Sequence, residues 1–236
     1  LCCKPWHAPA TFGRVWCLFE ALKTVDLGKE LVLVMAADEQ AALRATLIKR
    51  FDDIMRILSS IDVAKADATN PDDKEFIFGL IGARAGGFAQ FNADLTAALR
   101  RWLLGAARGE LDAMTRERGD DDLEANKLRN SVARLLDDLG HYDEAELMYR
   151  QALAIYKNAL GENHPLVAGS YNNLAMLLQA QNKLAEAEPM YRRALAIRKK
   201  ALGENHPDVA TSYNNLATLL KAQNKLDEAE TMLRRA

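Results

Sequence analysis

Apolar positions in the second half of the chain recur three and four residues apart, and the whole pattern returns 42 residues later. Val167, Tyr171, Leu174, Ala175 and Leu178 make one stripe, and Leu184, Ala187, Tyr191, Ala194 and Ile197 make a second. That spacing gathers apolar side chains on one side of an α-helix. "AQNK" (180–183) interrupts it, so one unit reads as two helices joined by a tight turn. Residues 164–194 and 206–236 agree at 24 of 31 positions, and "SYNNLA" stands at both 170–175 and 212–217. A weaker copy lies one period earlier, where 130–163 aligns with 172–205. Repetition at such a period marks a stacked array of supersecondary units. Gly161 and Gly203 are placed as helix stops, and Pro165 and Pro207 as first residues of the helices that follow. His164 and His206, between them, read as boundary residues and not as catalysts. Ala175, Ala187 and Ala194 let helices approach, while Leu174, Leu178 and Tyr191 fill the space between them. Pro189 falls inside the second helix and predicts a bend there.

The first half is patterned differently. Val15, Leu18, Phe19, Leu22 and Val25 share one face of a helix over 13–27, which Gly28 stops. "LVLVMA" (31–36) is short, continuous and rich in β-branched residues, and predicts a buried strand. A helix is expected over 38–59 with Asp38 as its cap, a short strand over 61–66, and a further helix opening at Asn70-Pro71. The alternation predicts α/β layering with a parallel sheet. "GARAGG" (82–87) reads as a helix terminus and not as a phosphate loop. The charged stretch 109–122 reads as a solvated helical linker. The expected fold class is therefore mainly α: a solenoid of helix pairs over 123–236 (units 123–163, 164–205 and 206–236), preceded by a partial α/β domain over 1–108.

Composition narrows the function. The chain is 49% hydrophobic and 27% charged over 236 residues, enough to bury a core. A net charge of −2 gives no basic field for nucleic acid, and the longest apolar run is too short for membrane insertion. Cys2, Cys3 and Cys17 form no Cys-x-x-Cys pair and read as reduced thiols, and the four histidines lack metal-ligand spacing. No cofactor or metal is expected.

The order Tyr171, Leu174, Ala175, Leu178, then Ala187, Tyr191, Ala194 resembles the tetratricopeptide repeat. The first unit departs from it, with Arg129 at the Tyr171 position. The 42-residue period, with "SYNNLA", "EAE", "RRAL" and "ALGENHP", is similar to kinesin light chain repeats. The resemblance implies a concave groove lined by the first helix of each pair, over Lys127, Asn130 and Arg134, then Asn172, Asn173, Met176 and Gln179, then Asn214, Asn215, Thr218 and Lys221. It implies protein or peptide segments as partners, and a non-enzymatic, cytoplasmic adaptor associated with the cytoskeleton. An Asn amide both donates and accepts, which suits an extended backbone whatever its side chains. Lys127, Arg134 and Lys221 favour an acidic ligand, against which Asp137 and Asp138 weigh.

Upstream, "RVWCLFEALKTVDLGKELVLV" resembles the later half of a Toll/interleukin-1 receptor (TIR) domain through Trp16, Glu20, Gly28, Lys29 and Leu31–Val34. In members that cleave NAD, that resemblance would make Glu20 the catalytic carboxylate. The alternative function is thus a TIR-type NAD hydrolase or signalling protein with a repeat sensor. The first strands of such a domain have no counterpart before "LCCKPW", so no activity is expected of this chain. The third unit stops at Ala236, leaving Leu216, Leu219, Ala229 and Leu233 without a following neighbour. Fraying of the last helix and self-association through the open end are expected.

Overall fold

A computed structural model describes residues 15–29, 31–32, 37–68 and 70–236. The chain divides into two compact units, Leu1–Ala113 and Met114–Ala236.

In the first unit the described residues are helical: α1 (Val15–Asp26), α2 (Ala37–Lys49), α3 (Phe51–Ser59), α4 (Pro71–Gly82) and α5 (Gly87–Arg118), which continues past the division between units. Its core gathers Ala21 and Leu22 of α1, Ile77 and Ile81 of α4, and Phe91, Leu95 and Leu99 of α5 around Leu31 and Val63. Asn70 caps α4 by accepting a hydrogen bond from the Asp72 amide at 3.1 Å, with Pro71 as the first helical residue. The glycine-rich stretch separates two helices as expected. Gly86 has φ +78°, and a Cβ there would meet Gln90 Cβ at 2.6 Å, so only glycine fits.

Two expectations for this unit are corrected, the strand over 61–66 and the single helix over 38–59, and a third is not shown. Residues 61–66 make no strand: Val63–Lys65 is a single 3₁₀ turn, capped by the Asp62 carboxylate accepting from the Ala64 amide. The strand expected over 31–36 falls partly on 33–36, outside the described residues, and Leu31 and Val32 are not in a strand. The α/β layering with a parallel sheet is not shown among the described residues, where the unit is built from helices. The helix expected over 38–59 is two helices, broken at Arg50 with φ −142° and ψ 43°. Asp52 and Asp53 then occupy the first turn of α3, where carboxylates are favoured by the helix dipole.

The second unit continues with α6 (Leu123–Asp138), α7 (Tyr142–Leu160), α8 (Pro165–Ala180), α9 (Leu184–Leu202), α10 (Pro207–Ala222) and α11 (Leu226–Leu233), each packed on the next. Helix starts are set by side chains. Asp122 accepts from the Ala125 amide at 2.8 Å, and His164 and His206 each accept through Nδ1 from the amide two residues on, at 3.2 and 3.1 Å. The two histidines are N-caps, as their place before proline predicts. Leu174, Ala175, Leu178, Ala187 and Ala194 are fully excluded from water, and Tyr191 and Ile197 nearly so. Pro189 lies inside α9, which runs on without interruption to Leu202.

The turn within each unit needs a left-handed residue. Gly140 supplies it in the first unit with φ +79°, and Asn182 and Asn224 take it in the others at +60° and +62°. Asparagine tolerates this region at a cost that glycine avoids. Asn182→Gly is expected to leave the fold intact and hold or raise the melting temperature slightly. Asn182→Val should lower stability by about 1 kcal/mol or more, read by thermal denaturation.

The residues expected at the open end of the third unit differ in exposure. Leu216 and Leu219 are fully buried and Ala229 is 1% exposed, leaving Leu233 at 42% as the member of that set that meets solvent.

Candidate functional site

Of the residues expected to line a groove, 130 and 134 on α6, 172, 176 and 179 on α8, and 214, 218 and 221 on α10 share one register of the first helices, and 137 on α6, outside that expected set, completes the register as the counterpart of 179 and 221. Steps of four and three place each trio on one side of its helix. Neighbouring positions on α8 and α10, such as Leu174, Leu178, Leu216 and Leu220, are fully buried, so these stripes flank a packed face.

The individual side chains differ sharply. Asn172 is only 8% exposed, and its Oδ1 accepts from Asn215 Nδ2 at 2.9 Å, tying α8 directly to α10. Its own Nδ2 points to Met176 Sδ at 3.3 Å. Asn173 is half-buried, and among the described residues its amide has no hydrogen-bond partner. Met176 is 51% exposed, a large apolar side chain beside that amide. Gln179 accepts from the Tyr191 hydroxyl at 3.0 Å, and burial pushes that phenol up to about 12. Asn214, Thr218 and Lys221 are exposed, with Thr218 donating back to the Asn214 carbonyl.

On α6, Asn130 turns back to donate to the Asn126 carbonyl at 3.0 Å, and Lys127 pairs with Glu124 at 2.9 Å. Arg134 lies near Asp137. Partial burial raises the Asp137 carboxyl above its usual value, Asp138 adds to that, and Arg134 opposes it. The departure at Arg129 has a structural account. Arg129 is 6% exposed, donating to Asn126 Oδ1 at 3.0 Å and to Asp120 at 3.1 Å, so it ties the loop before α6 to the first unit of the array.

Sequence reasoning missed a ladder of charges between units. Glu188 holds both Arg192 of its own helix at 2.8 Å and Lys225 of the next unit at 2.7 Å, and Arg192 reaches Glu228 at 3.0 Å. One period earlier Glu146 holds Arg150 at 2.8 Å and Lys183 at 3.2 Å. The signal was present, since each Glu–Lys pair keeps a separation of 37 residues. The hydrogen bond from Lys225 draws the Glu188 carboxyl below its usual value against its partial burial, with Arg192 assisting. A carboxylate lowered in the folded state adds stability above the ordinary Glu range and loses it as pH falls through the folded value. Glu188→Gln should therefore cost about 0.5–1 kcal/mol near neutrality. The gap in melting temperature from the parent should close between about pH 5 and pH 3.

In the first unit Glu20 is exposed on α1. A cleft of about 290 Å³ between α2 and α5 is lined by Leu43, Leu47, Trp102 and the ion-paired Arg44 and Glu110, and Glu20 does not line it. No group of three or more metal-ligating side chains converges among the described residues, and no described helix is long and apolar enough to cross a membrane.

A tetratricopeptide repeat model matches residues 123–200 and 166–236. Comparison with curated protein sequences gives no match. Among solved structures, BtubC (BKLC) from P. vanneervenii is similar at 21% identity and a TM-score of 0.54, over 92% of this chain and 87% of that one. The TPR-like repeats of a protein assigned as a kinesin light chain in Podosopora anserina are similar at 18% identity and a TM-score of 0.52, over 83% and 90%. The apo form of RapI is similar at 15% identity and a TM-score of 0.52, over 84% and 68%. At these identities the likeness is one of fold. The helix pairs, their caps and the 42-residue register thus have a common account: residues 123–236 are tetratricopeptide repeats stacked as a helical solenoid.

Proposed function

We propose that this protein is a non-enzymatic scaffold whose repeats hold an extended segment of a partner protein along α6, α8 and α10. The observation that carries the reading is the unengaged amide of Asn173 beside the half-exposed Met176, on a helix whose neighbouring positions are fully buried. An amide with both donor and acceptor open can pair with a peptide backbone, and an exposed methionine offers an adaptable apolar contact. A cytoplasmic motor–cargo adaptor on microtubules is the narrower form of this reading, supported by likeness of fold to kinesin light chain repeats.

The test is to select peptide ligands against the chain and measure their affinity for variants. Asn173→Ala should weaken binding by about 2- to 12-fold, the net worth of one or so hydrogen bonds, with an unchanged melting temperature. Asn215→Ala removes the bridge to Asn172 and should instead lower the melting temperature by several degrees. Unchanged affinity in folded Asn173→Ala and Met176→Glu proteins would remove the groove reading.

A further inference from the structure

Charge is distributed unevenly along the three groove stripes. On α6 both cations are already matched: Lys127 is paired with Glu124 at 2.9 Å, and Arg134 faces Asp137. Asp138, exposed beside Asp137, leaves that end with two carboxylates to one guanidinium. The α8 stripe of Asn172, Met176 and Gln179 carries no charge, and its most exposed member is apolar. The α10 stripe ends in Lys221, which is exposed and has no ion-pair partner among the described residues. The position series 137, 179, 221 therefore reads Asp, Gln, Lys, from acidic through neutral to basic across the units.

From this we infer that the groove selects a segment with a basic side chain over α6, an apolar side chain at Met176 and an acidic side chain at Lys221. The inference rests on the groove reading above and adds the partner's charge order. It refines the expectation of an acidic ligand, against which Asp137 and Asp138 already weighed, because two of the three cations behind it have carboxylate neighbours.

Spacing follows from helix geometry. The Asn172–Asn215 side-chain bridge sets α8 and α10 about 10 Å apart, and the same repeat step puts α6 and α10 roughly 20 Å apart along the groove. An extended chain advances about 3.3 Å per residue, which puts the basic and acidic residues about six positions apart with the apolar one midway. The separation exceeds the Debye length of about 8 Å at physiological ionic strength, so each end reads its own charge independently. Side-chain amides hydrogen-bond a backbone running either way, so the order of charges is specified and the chain direction is not.

Four labelled peptides on a Gly/Ser background test this, each with a central Leu and ends three residues away: Lys and Glu, two Lys, two Glu, or two Gln. Titrated against the full chain at low ionic strength, the Lys/Glu peptide should bind on the order of tenfold tighter than either peptide with like-charged ends, with the Gln peptide between. Lys221→Glu, at an exposed position and with an unchanged melting temperature, should transfer the preference to the two-Lys peptide. If the Lys/Glu peptide binds no tighter than the Gln peptide while Asn173→Ala weakens both, the charge order is wrong and the groove stands. If Asn173→Ala and Met176→Glu leave every affinity unchanged, or no peptide binds at millimolar concentration, the groove reading falls and the charge order with it.

Discussion

Leu178→Ala should destabilise the repeat half by about 2–5 kcal/mol, among the largest effects available to a single truncation in this chain. Leu178 is fully buried and lies on α8, a helix that packs on both α7 and α9. Removing its methyl groups loses their transfer free energy and leaves a cavity that rigid neighbouring helices close only in part. The location adds to the cost. In a stacked array each unit is stabilised by its neighbours, so a defect in the middle unit weakens two interfaces. The equivalent Leu220→Ala, on α10, acts on the packing with α9 and α11 and should cost less if α11 gives way to it. Thermal or urea denaturation of the two variants checks the order. A loss under 1 kcal/mol for Leu178→Ala would mean that the middle unit is not held by its stripe.

The repeat half was legible because its rules are local and written three times. A Gly–x–x–His–Pro sequence can do little but end one helix and cap the next, and the 42-residue identity shows which apolar residues belong to which stripe. The first unit offered no second copy to compare. Residues 61–66 contain Ile61, Val63 and two alanines, a short apolar run whose period does not tell a strand from another buried segment. The structure resolves it through Asp62, whose side chain bonds the backbone of a tight turn and so competes with a ladder. The break at Arg50 was invisible for the opposite reason: helix-forming residues stand on both sides and neither Gly nor Pro marks the place.

The candidate site was legible as a stripe and illegible in its details. Asn172 and Asn173 are adjacent and equal in propensity, yet a turn of about 100° per residue sends one toward α10 and leaves the other unengaged. That difference depends on the neighbouring helix, which sequence spacing does not position. Gln179 likewise reads as a free polar residue until the Tyr191 hydroxyl is seen to use it. The acidic-ligand reading, against which Asp137 and Asp138 already weighed, loses Lys127 as well, because Glu124 pairs with it.

Ala187→Leu should also be strongly damaging, by the reverse mechanism to loss of a large side chain. Ala187 is fully buried on α9, and Ala175, also fully buried, lies on α8, the helix with which α9 makes its most extensive packing. Small residues on both partners let the backbones come close, and a close-packed interior in which Leu174, Leu178 and Tyr191 of the same two helices are also buried has no space for a leucine. Inserting three further carbons forces off-rotamer side chains or pushes the helices apart, at about 1–3 kcal/mol and occasionally more. Separation of α8 from α9 would also strain the Tyr191–Gln179 hydrogen bond and shift the groove stripe. The variant should therefore melt several degrees lower and lose peptide affinity together, whereas Asn173→Ala loses affinity alone. Ala187→Gly is the control: it makes a small void and carries a helix-propensity cost of about 1 kcal/mol, without overpacking. A leucine variant no less stable than the glycine one would show that the helices can part there freely, against the close packing that sets the geometry of the groove.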